Sequence, residues 1–429
     1  MRDTVDFLLH HWLNVAALTE RERFADHSPE TFTQVLDTCE KIAREKFAPF
    51  NRLVDTEEPR FDGEKVILPQ ATQEAWDAYA ESGMLSAAQD YDIGGMQLPY
   101  TVEAAANAFF SKASVSIGSG MLSVGNANLL IAHGTETQKR VFALNEFSGR
   151  FSGTMCLSEP QAGSSLSDIA TRATPDVAGD GSGVDWQADP LGQRYRLRGN
   201  KMWISGGEHE MGENIVHLVL AKIPGADGKP VPGVKGISLF IVPRKLVKAD
   251  GSITSQRNDV ALAGLNHKCG YRGTVNTLLN FGEGKFPVNG EAGAVGYLIG
   301  KEGEGLKCMF TLMNEARISV GVGATMLGYA GYEYSLHYAK DRPQGRHMGA
   351  GGKDHSAPQV PIIGHTDVKR MLMMQKAIAE GGLALGLLCA QLVDDQHTGS
   401  GEEAEKAGDR KSTRLNSSHT DISRMPSSA

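Results

Sequence analysis

Apolar positions in the first third of the chain recur at helical spacing. In "DHSPETFTQVLDTCEKIAREKF", Phe32, Val35, Leu36, Cys39, Ile42, Ala43 and Phe47 fall on one face, with Ser28 as N-cap and Pro29 as first helical residue. Further helices are predicted over 70–82, 101–113 and 135–145, joined by Gly-rich turns such as "YDIGGMQLP". Around Phe151 the period changes. "QRYRLRGNKMWISGG" alternates, turns at Gly199-Asn200 and alternates again, which predicts a hairpin. Strands are expected at 215–223 and 236–246, and "TVNTLLNFG" is expected to close the β region near 282. After Gly303 the helical period returns, with long helices predicted over 314–342 and 366–393. Gly321, Gly323, Gly328, Ala330 and Gly331 cost the first of these helix propensity, so close packing of neighbouring helices is the expected compensation.

The order is helices, antiparallel strands, helices, with no strand–helix alternation. That excludes a doubly wound α/β sheet and predicts an α+β fold: a helical N-terminal domain, a β-barrel-like middle domain and an incomplete helical C-terminal domain. The expected boundaries are an extension at 1–34, a helical domain at 35–150, the β domain at 151–286 and the truncated helical domain at 287–408. Residues 409–429, including the Ser- and Arg-rich "RKSTRLNSSHTDISRMPSSA", drop every period and are expected to be a non-native tail.

Composition narrows the function classes. The chain has 429 residues, with 41% hydrophobic and 22% charged, which fits a folded protein with a large core. A net charge of −8 argues against nucleic acid or an anionic membrane as the main partner. Cys39, Cys156, Cys269, Cys308 and Cys389 stand far apart, without C-x-x-C, and predict buried thiols in a reducing compartment. The N-terminal stretch lacks a basic leader, and no apolar run reaches roughly 18 residues. A cytoplasmic protein with no membrane span is expected.

Glycine-rich stretches invite phosphate-loop readings, and each fails. "GSGMLS" (118–123) has Ser123 where a third glycine belongs, and "GVGATM" (321–326) has Met326. "GGKD" (351–354) has Asp354 after its Gly-Lys pair and His347 where a leading glycine should stand. The histidines are scattered, with no H-E-x-x-H, so no metal site is expected. The remaining candidate is "TMCLSEPQAGSSLSDIATRA" (154–173), too polar for a buried strand and broken by Pro160 and Gly163. Small side chains and free backbone N–H groups in such a loop let it approach a flat or anionic ligand closely.

Three distant segments agree on one family. "MCLSEPQAGSS" (155–165), "GNKMWISGG" (199–207) and "MNEARISVGVGATMLGYAGYEYSLHYAKDRPQGR" (313–346) resemble, in order and spacing, the acyl-CoA dehydrogenase pattern. The resemblance covers roughly residues 30–400. The extra N-terminal helix and "NHKCGYRGT" resemble most the long-chain-length subgroup that includes 3-methylmercaptopropionyl-CoA dehydrogenase. It implies an oxidoreductase that binds FAD between the middle domain and the C-terminal helices and acts on an acyl-CoA. By position, Met155, Leu157 and Ser158 would line the flavin, and Ser164 would sit where phosphate and thioester meet. Trp203 would cover the dimethylbenzene side, and Ser205 would bond near N5. Arg342 and Gln344 would clamp the FAD of a neighbouring subunit of a homo-oligomer, a dimer or tetramer, and Asn314 and Arg317 would face the acyl-CoA. An electron-transfer flavoprotein would take the electrons.

The departures bear on catalysis. Ser165 replaces the family's usual Asp, and Ser158 its commoner Thr. The family's catalytic Glu usually sits in a Glu-Gly-Thr loop, and this chain is expected to stop before it. In other members the base directly precedes the helix Arg, where this chain has Ala316. Glu315 lies one residue further, about 100° around the helix, and would point elsewhere. The intact protein is expected to form 2-enoyl-CoA, and this chain to lack useful activity. The alternatives are an oxidase-like flavoenzyme or an inactive FAD-binding fragment. A shortened helical domain is expected to expose Leu383, Leu387 and Leu388.

Overall fold

In the computed structural model of the chain, residues 1–117, 120–178, 183–349, 352–353 and 355–411 are described. Part of "GSGMLS", part of "GGKD" and the tail past 411 lie outside them. The chain forms two compact units: Met1–Glu45, Gln97–Val115 and Arg317–Ala429 make one, and Lys46–Met96 and Ser116–Ala316 the other. This division cuts across the boundaries expected at 34, 150, 286 and 408.

The first unit is helical. Pro29–Ile42 begins at the expected cap, where Thr31 N donates to Ser28 Oγ at 3.3 Å and Ser28 N to Thr31 Oγ1 at 2.9 Å. Two helix-end donors are thereby satisfied. Tyr100–Ser114 is capped by another helix: the Asp394 carboxylate accepts from Tyr100 N at 2.8 Å, Thr101 N at 2.9 Å and Thr101 Oγ1 at 2.5 Å. The two long helices run Gly305–Asp341 and Thr366–Thr398.

Their contact differs from the one the sequence predicts. A Cβ at Gly321, Gly328 or Gly331 would meet nothing within 4 Å, so these glycines do not serve close packing within the chain. The glycines that do are Gly386 and Gly382, where a Cβ would lie 2.6 Å from Val322 Cγ2 and 2.9 Å from Thr325 Oγ1. Leu383 and Leu387 are fully buried and Leu388 is half-buried, against the exposure expected for them. Exposed instead are Met371, Met373, Met374, Ile378 and Leu385. By length and composition Thr366–Thr398 is apolar enough to cross a membrane, against the expectation of no such segment. Its Leu372, Ala379, Leu383, Leu387 and Ala390 are buried, as in a core helix. Residues 402–411 are helical, where the sequence predicts no further fold.

The second unit is built on eight strands: β1 (Phe151–Cys156), β2 (Arg172–Pro175), β3 (Arg194–Ser205), β4 (Asn214–Lys222), β5 (Ile237–Pro243), β6 (Val260–Leu265), β7 (Asn276–Phe281) and β8 (Ala294–Ile299). They pair in the order β6-β7-β3-β8-β5-β4-β1, and β2 bridges β3 and β4. The ring β3–β8–β5–β4–β2–β3 is therefore a closed five-strand barrel, as the barrel-like expectation required. Alternate residues separate its faces. Tyr195, Leu197, Val219, Phe240 and Val242 point to one side, whereas Val216, Leu218, Leu239, Ile241 and Tyr297 point to the other. The outer set packs on Ala127, Leu130, Val141, Phe142 and Phe147 of helices Gly120–His133 and 136–147. With both faces covered, β4 is buried along its whole length.

Three expectations fail here. Residues 194–205 form one strand, not a hairpin: the first half pairs β8 and β2, the second pairs β7. Gly199 permits a close approach, because a Cβ there would sit 2.4 Å from Thr171 Oγ1 and 2.8 Å from Thr171 Cα. The β region ends at Ile299, not near 282, so the boundary at 286 falls inside the sheet. The strands are not all antiparallel, since β1 runs parallel to β4.

Candidate functional site

The small-residue loop leaves the end of β1 and returns into β2, closed around one side chain. Glu159 exchanges backbone hydrogen bonds with Ala162, at 2.8 and 3.0 Å. Its carboxylate accepts from Ala170 N at 2.7 Å, Thr171 N at 3.1 Å, Thr171 Oγ1 at 2.6 Å and Gln161 Nε2 at 2.8 Å. It also accepts from Lys201 Nζ at 2.9 Å, and that ammonium donates to Leu157 O at 3.0 Å. Burial opposes charge on Glu159, but the Lys201 ammonium and then the Ala170 and Thr171 donors outweigh it and hold its carboxyl below the ordinary 4.5. Burial lowers Lys201 from 10.5, with Glu159 opposing.

Above this pair the loop meets β3. Ser158 Oγ donates to Met202 O at 2.7 Å, and Met202 N donates to Ser158 O at 3.0 Å. The register of β3 on β7 then slips. Ile204 faces Thr277 and Lys201 faces Leu279, so Met202 and Trp203 together oppose Leu278. This bulge moves Trp203 out of the inward position that alternation from Lys201 would give it, and Ile204 takes that position, 2% exposed. Trp203 is 56% exposed and left-handed, with φ 65°. A left-handed non-glycine residue costs about 1–2 kcal/mol, so its neighbours must hold it there. They do so through Met202's two bonds to Ser158 and through Thr277 Oγ1, which donates to Ile204 O at 3.0 Å.

The loop's outer rim is open. Gly163, Ser164 and Ser165 are exposed, and a Cβ on Gly163 would touch nothing within 4 Å. Among the described residues no acceptor is found for their backbone N–H groups, which leaves three donors on the exposed rim of a loop that Ser158 ties to the strand of Trp203. Such a surface suits an anionic ligand with a flat ring. Met155 and Leu157 are half-buried and pack on the core beneath. Ser205 accepts from Asn276 Nδ2 at 3.4 Å. Cys156 ends β1, but burial pushes its thiol up to about 12, so it is no nucleophile. Cys39, Cys308 and Cys389 are buried as expected; Cys269 is exposed, against expectation.

The structure thus joins Ser158 to the strand that carries Trp203 and Ser205. Asn314 is half-buried near the start of Gly305–Asp341, and Arg317 follows one turn later. Arg342 and Gln344 lie beyond that helix with exposed side chains. Their backbone is tied to a returning segment, Ile362 N donating to Arg342 O at 2.8 Å and Gln344 N to Val360 O at 3.0 Å. Glu315 accepts from Asn128 Nδ2 at 2.7 Å, and Asn128 Oδ1 in turn accepts from Gln89 Nε2 at 2.9 Å. Sequence reasoning assigned no role to Glu159 or Lys201. The signal was available, because Lys201 occupies an inward position of an alternating strand, where a charge needs a partner.

Comparison with known proteins identifies the family and the fold. Residues 29–146 match the acyl-CoA dehydrogenase N-terminal domain. The chain is 35% identical over 400 residues to 3-methylmercaptopropionyl-CoA dehydrogenase of Ruegeria pomeroyi, covering 93% of this chain and 62% of that protein. It is 33% identical to a butyryl-CoA dehydrogenase of Syntrophomonas wolfei, covering 90% and 60%. The chain spans about 60% of the length of these curated relatives. The fold matches a crystal structure of an acyl-CoA dehydrogenase complexed with FAD from Bacillus anthracis, with TM-score 0.65, 20% identity and coverage of 93% of this chain and 58% of that one. The chain belongs to the acyl-CoA dehydrogenase family.

Proposed function

We propose that the protein is an FAD-dependent dehydrogenase of acyl-CoA thioesters, forming 2-enoyl-CoA, and that this chain carries its cofactor surface. The observation that carries the reading is the junction of the 157–171 loop with the bulged strand. The strand carries an exposed, left-handed Trp203, and the loop tied to it carries the exposed residues Gly163, Ser164 and Ser165, whose amides find no acceptor among the described residues. FAD, when bound, supplies the two-electron acceptor for the β hydrogen. Met155, Leu157, Ser158, Trp203 and Ser205 would hold the ring, and the rim amides with Ser164 the phosphates. Arg342 and Gln344 would serve a neighbouring subunit's cofactor, since a guanidinium suits a pyrophosphate. Asn314 and Arg317 would orient the thioester.

Proton abstraction is assigned to no residue of this chain. Ala316 has no acid, and Glu315 already accepts from Asn128. An electron-transfer flavoprotein is the proposed acceptor. The reading is tested by anaerobic titration of the FAD-loaded chain with acyl-CoAs, alongside a chain extended through the Glu-Gly-Thr loop of its relatives. Flavin bleaching in the extended chain alone supports it. Bleaching in neither, with FAD bound to both, leaves a cofactor-binding protein without this activity. Oxygen consumption that exceeds reduction of an artificial acceptor favours an oxidase.

A further inference from the structure

We propose that Lys201 and Glu159 are positioning residues for the cofactor surface: their buried ion pair locks the 157–171 loop onto the bulged strand, so that Trp203 and the Gly163–Ser165 amides are presented together. The inference rests on the reading of that surface as an FAD site. Its ground is the route of the hydrogen bonds. Glu159 gathers Ala170 and Thr171, at the loop's return, onto the residue at its start. Lys201 joins that carboxylate and the Leu157 carbonyl to β3, two residues before Trp203. No other buried ion pair among the described residues does this. Arg194 with Asp176 and Asp189, and Arg244 with Glu208, are as deeply buried, but these ion pairs join no residue of the 157–171 loop.

Stability alone does not account for the pair. A buried ion pair is often no more stabilising than apolar side chains of similar volume. What apolar side chains lack is direction. The ammonium fixes two acceptors and the carboxylate five donors, which sets loop and bulge at one mutual height. A left-handed Trp203 has no intrinsic preference for its conformation, so its exposure depends on that frame.

The test compares the 429-residue chain with Lys201→Met, Lys201→Arg, Thr171→Val and the control Arg194→Met, which breaks a pair of similar burial away from the loop. Each is titrated with FAD by calorimetry, and the bound flavin is read by visible circular dichroism alongside the thermal midpoint. The expected result is at least tenfold weaker FAD binding and an altered flavin dichroism in Lys201→Met. Arg194→Met is expected to lower the midpoint yet keep both the dissociation constant and the spectrum, and Lys201→Arg to recover part of the affinity. If Lys201→Met does not fold, Thr171→Val, which deletes one donor to Glu159, is expected to change the dichroism in the same direction. Affinity and spectrum that follow the midpoint equally in every variant overturn the proposal. A wild-type chain that binds no FAD overturns the functional reading instead.

Discussion

Lys201 Nζ lies 2.9 Å from a Glu159 carboxylate oxygen, with the two side chains 0% and 3% exposed. Removing one partner strands the other's charge in the core, which costs about 3–5 kcal/mol. Glu159→Gln is therefore expected to lower the urea midpoint sharply at pH 7. The Glu159 carboxyl is held below its unfolded value, so its contribution is present above pH 4.5 and is lost as pH falls through the folded value. The gap between wild type and variant should narrow on the acid side. A gap independent of pH contradicts the assignment.

Asp394 behaves oppositely. Burial, opposed by the Thr101 and Tyr100 donors, raises its carboxyl from 3.8 to about 6. A raised acid contributes stability that is full below 3.8 and is lost as pH rises through about 6. Relative to Asp394→Asn, the wild type should lose up to about 3 kcal/mol between pH 4 and pH 7, since each tenfold change in proton affinity is worth about 1.4 kcal/mol. Paired urea titrations at the two pH values check this.

The two glycine classes of the long helices separate in one experiment. Gly321→Ala adds a methyl into open space and should stabilise by about 0.5–1 kcal/mol through helix propensity. Gly386→Ala places its Cβ 2.6 Å from Val322 Cγ2 and should destabilise by about 1–3 kcal/mol despite the same propensity gain. Thermal midpoints that move in the same direction contradict the packing described here.

Glu315 is tied to Asn128. Glu315→Gln keeps the side chain's shape and a group able to bond the Asn128 amide. It is expected to leave FAD affinity within about twofold of wild type and to leave the extended chain's flavin bleaching rate unchanged. A fall of about 10²–10⁴-fold in that rate is the effect of losing a general base and would give Glu315 that role.

What could be read from the sequence followed local chemistry. The cap at Ser28 needs only its neighbours, and the apolar run of β4 is long enough to read as a strand. The helix Gly120–His133 escapes a pattern reading because it shows no single polar face: Gly125 lies under Leu312, and Asn126 donates across to Thr154 and Val216 carbonyls. Gly199-Asn200 looked like a turn, since the close approach of Thr171 that the glycine permits is a tertiary fact. At the site, the resemblance supplied Ser158, Trp203 and Ser205. The bulge that turns Trp203 outward depends on register with β7, and the Glu159–Lys201 pair joins positions 42 residues apart in the chain.

A flavin held at the junction of Ser158 with the Trp203 bulge would lie against the Trp203 indole. Titration of the 429-residue chain with FAD, followed by tryptophan fluorescence and repeated on Trp203→Phe, tests it most directly. Saturable quenching is expected in the wild type, and in Trp203→Phe a clearly smaller quenching amplitude with weaker binding. Equal amplitude and affinity in the two chains, or no saturable binding by the wild type, would contradict it.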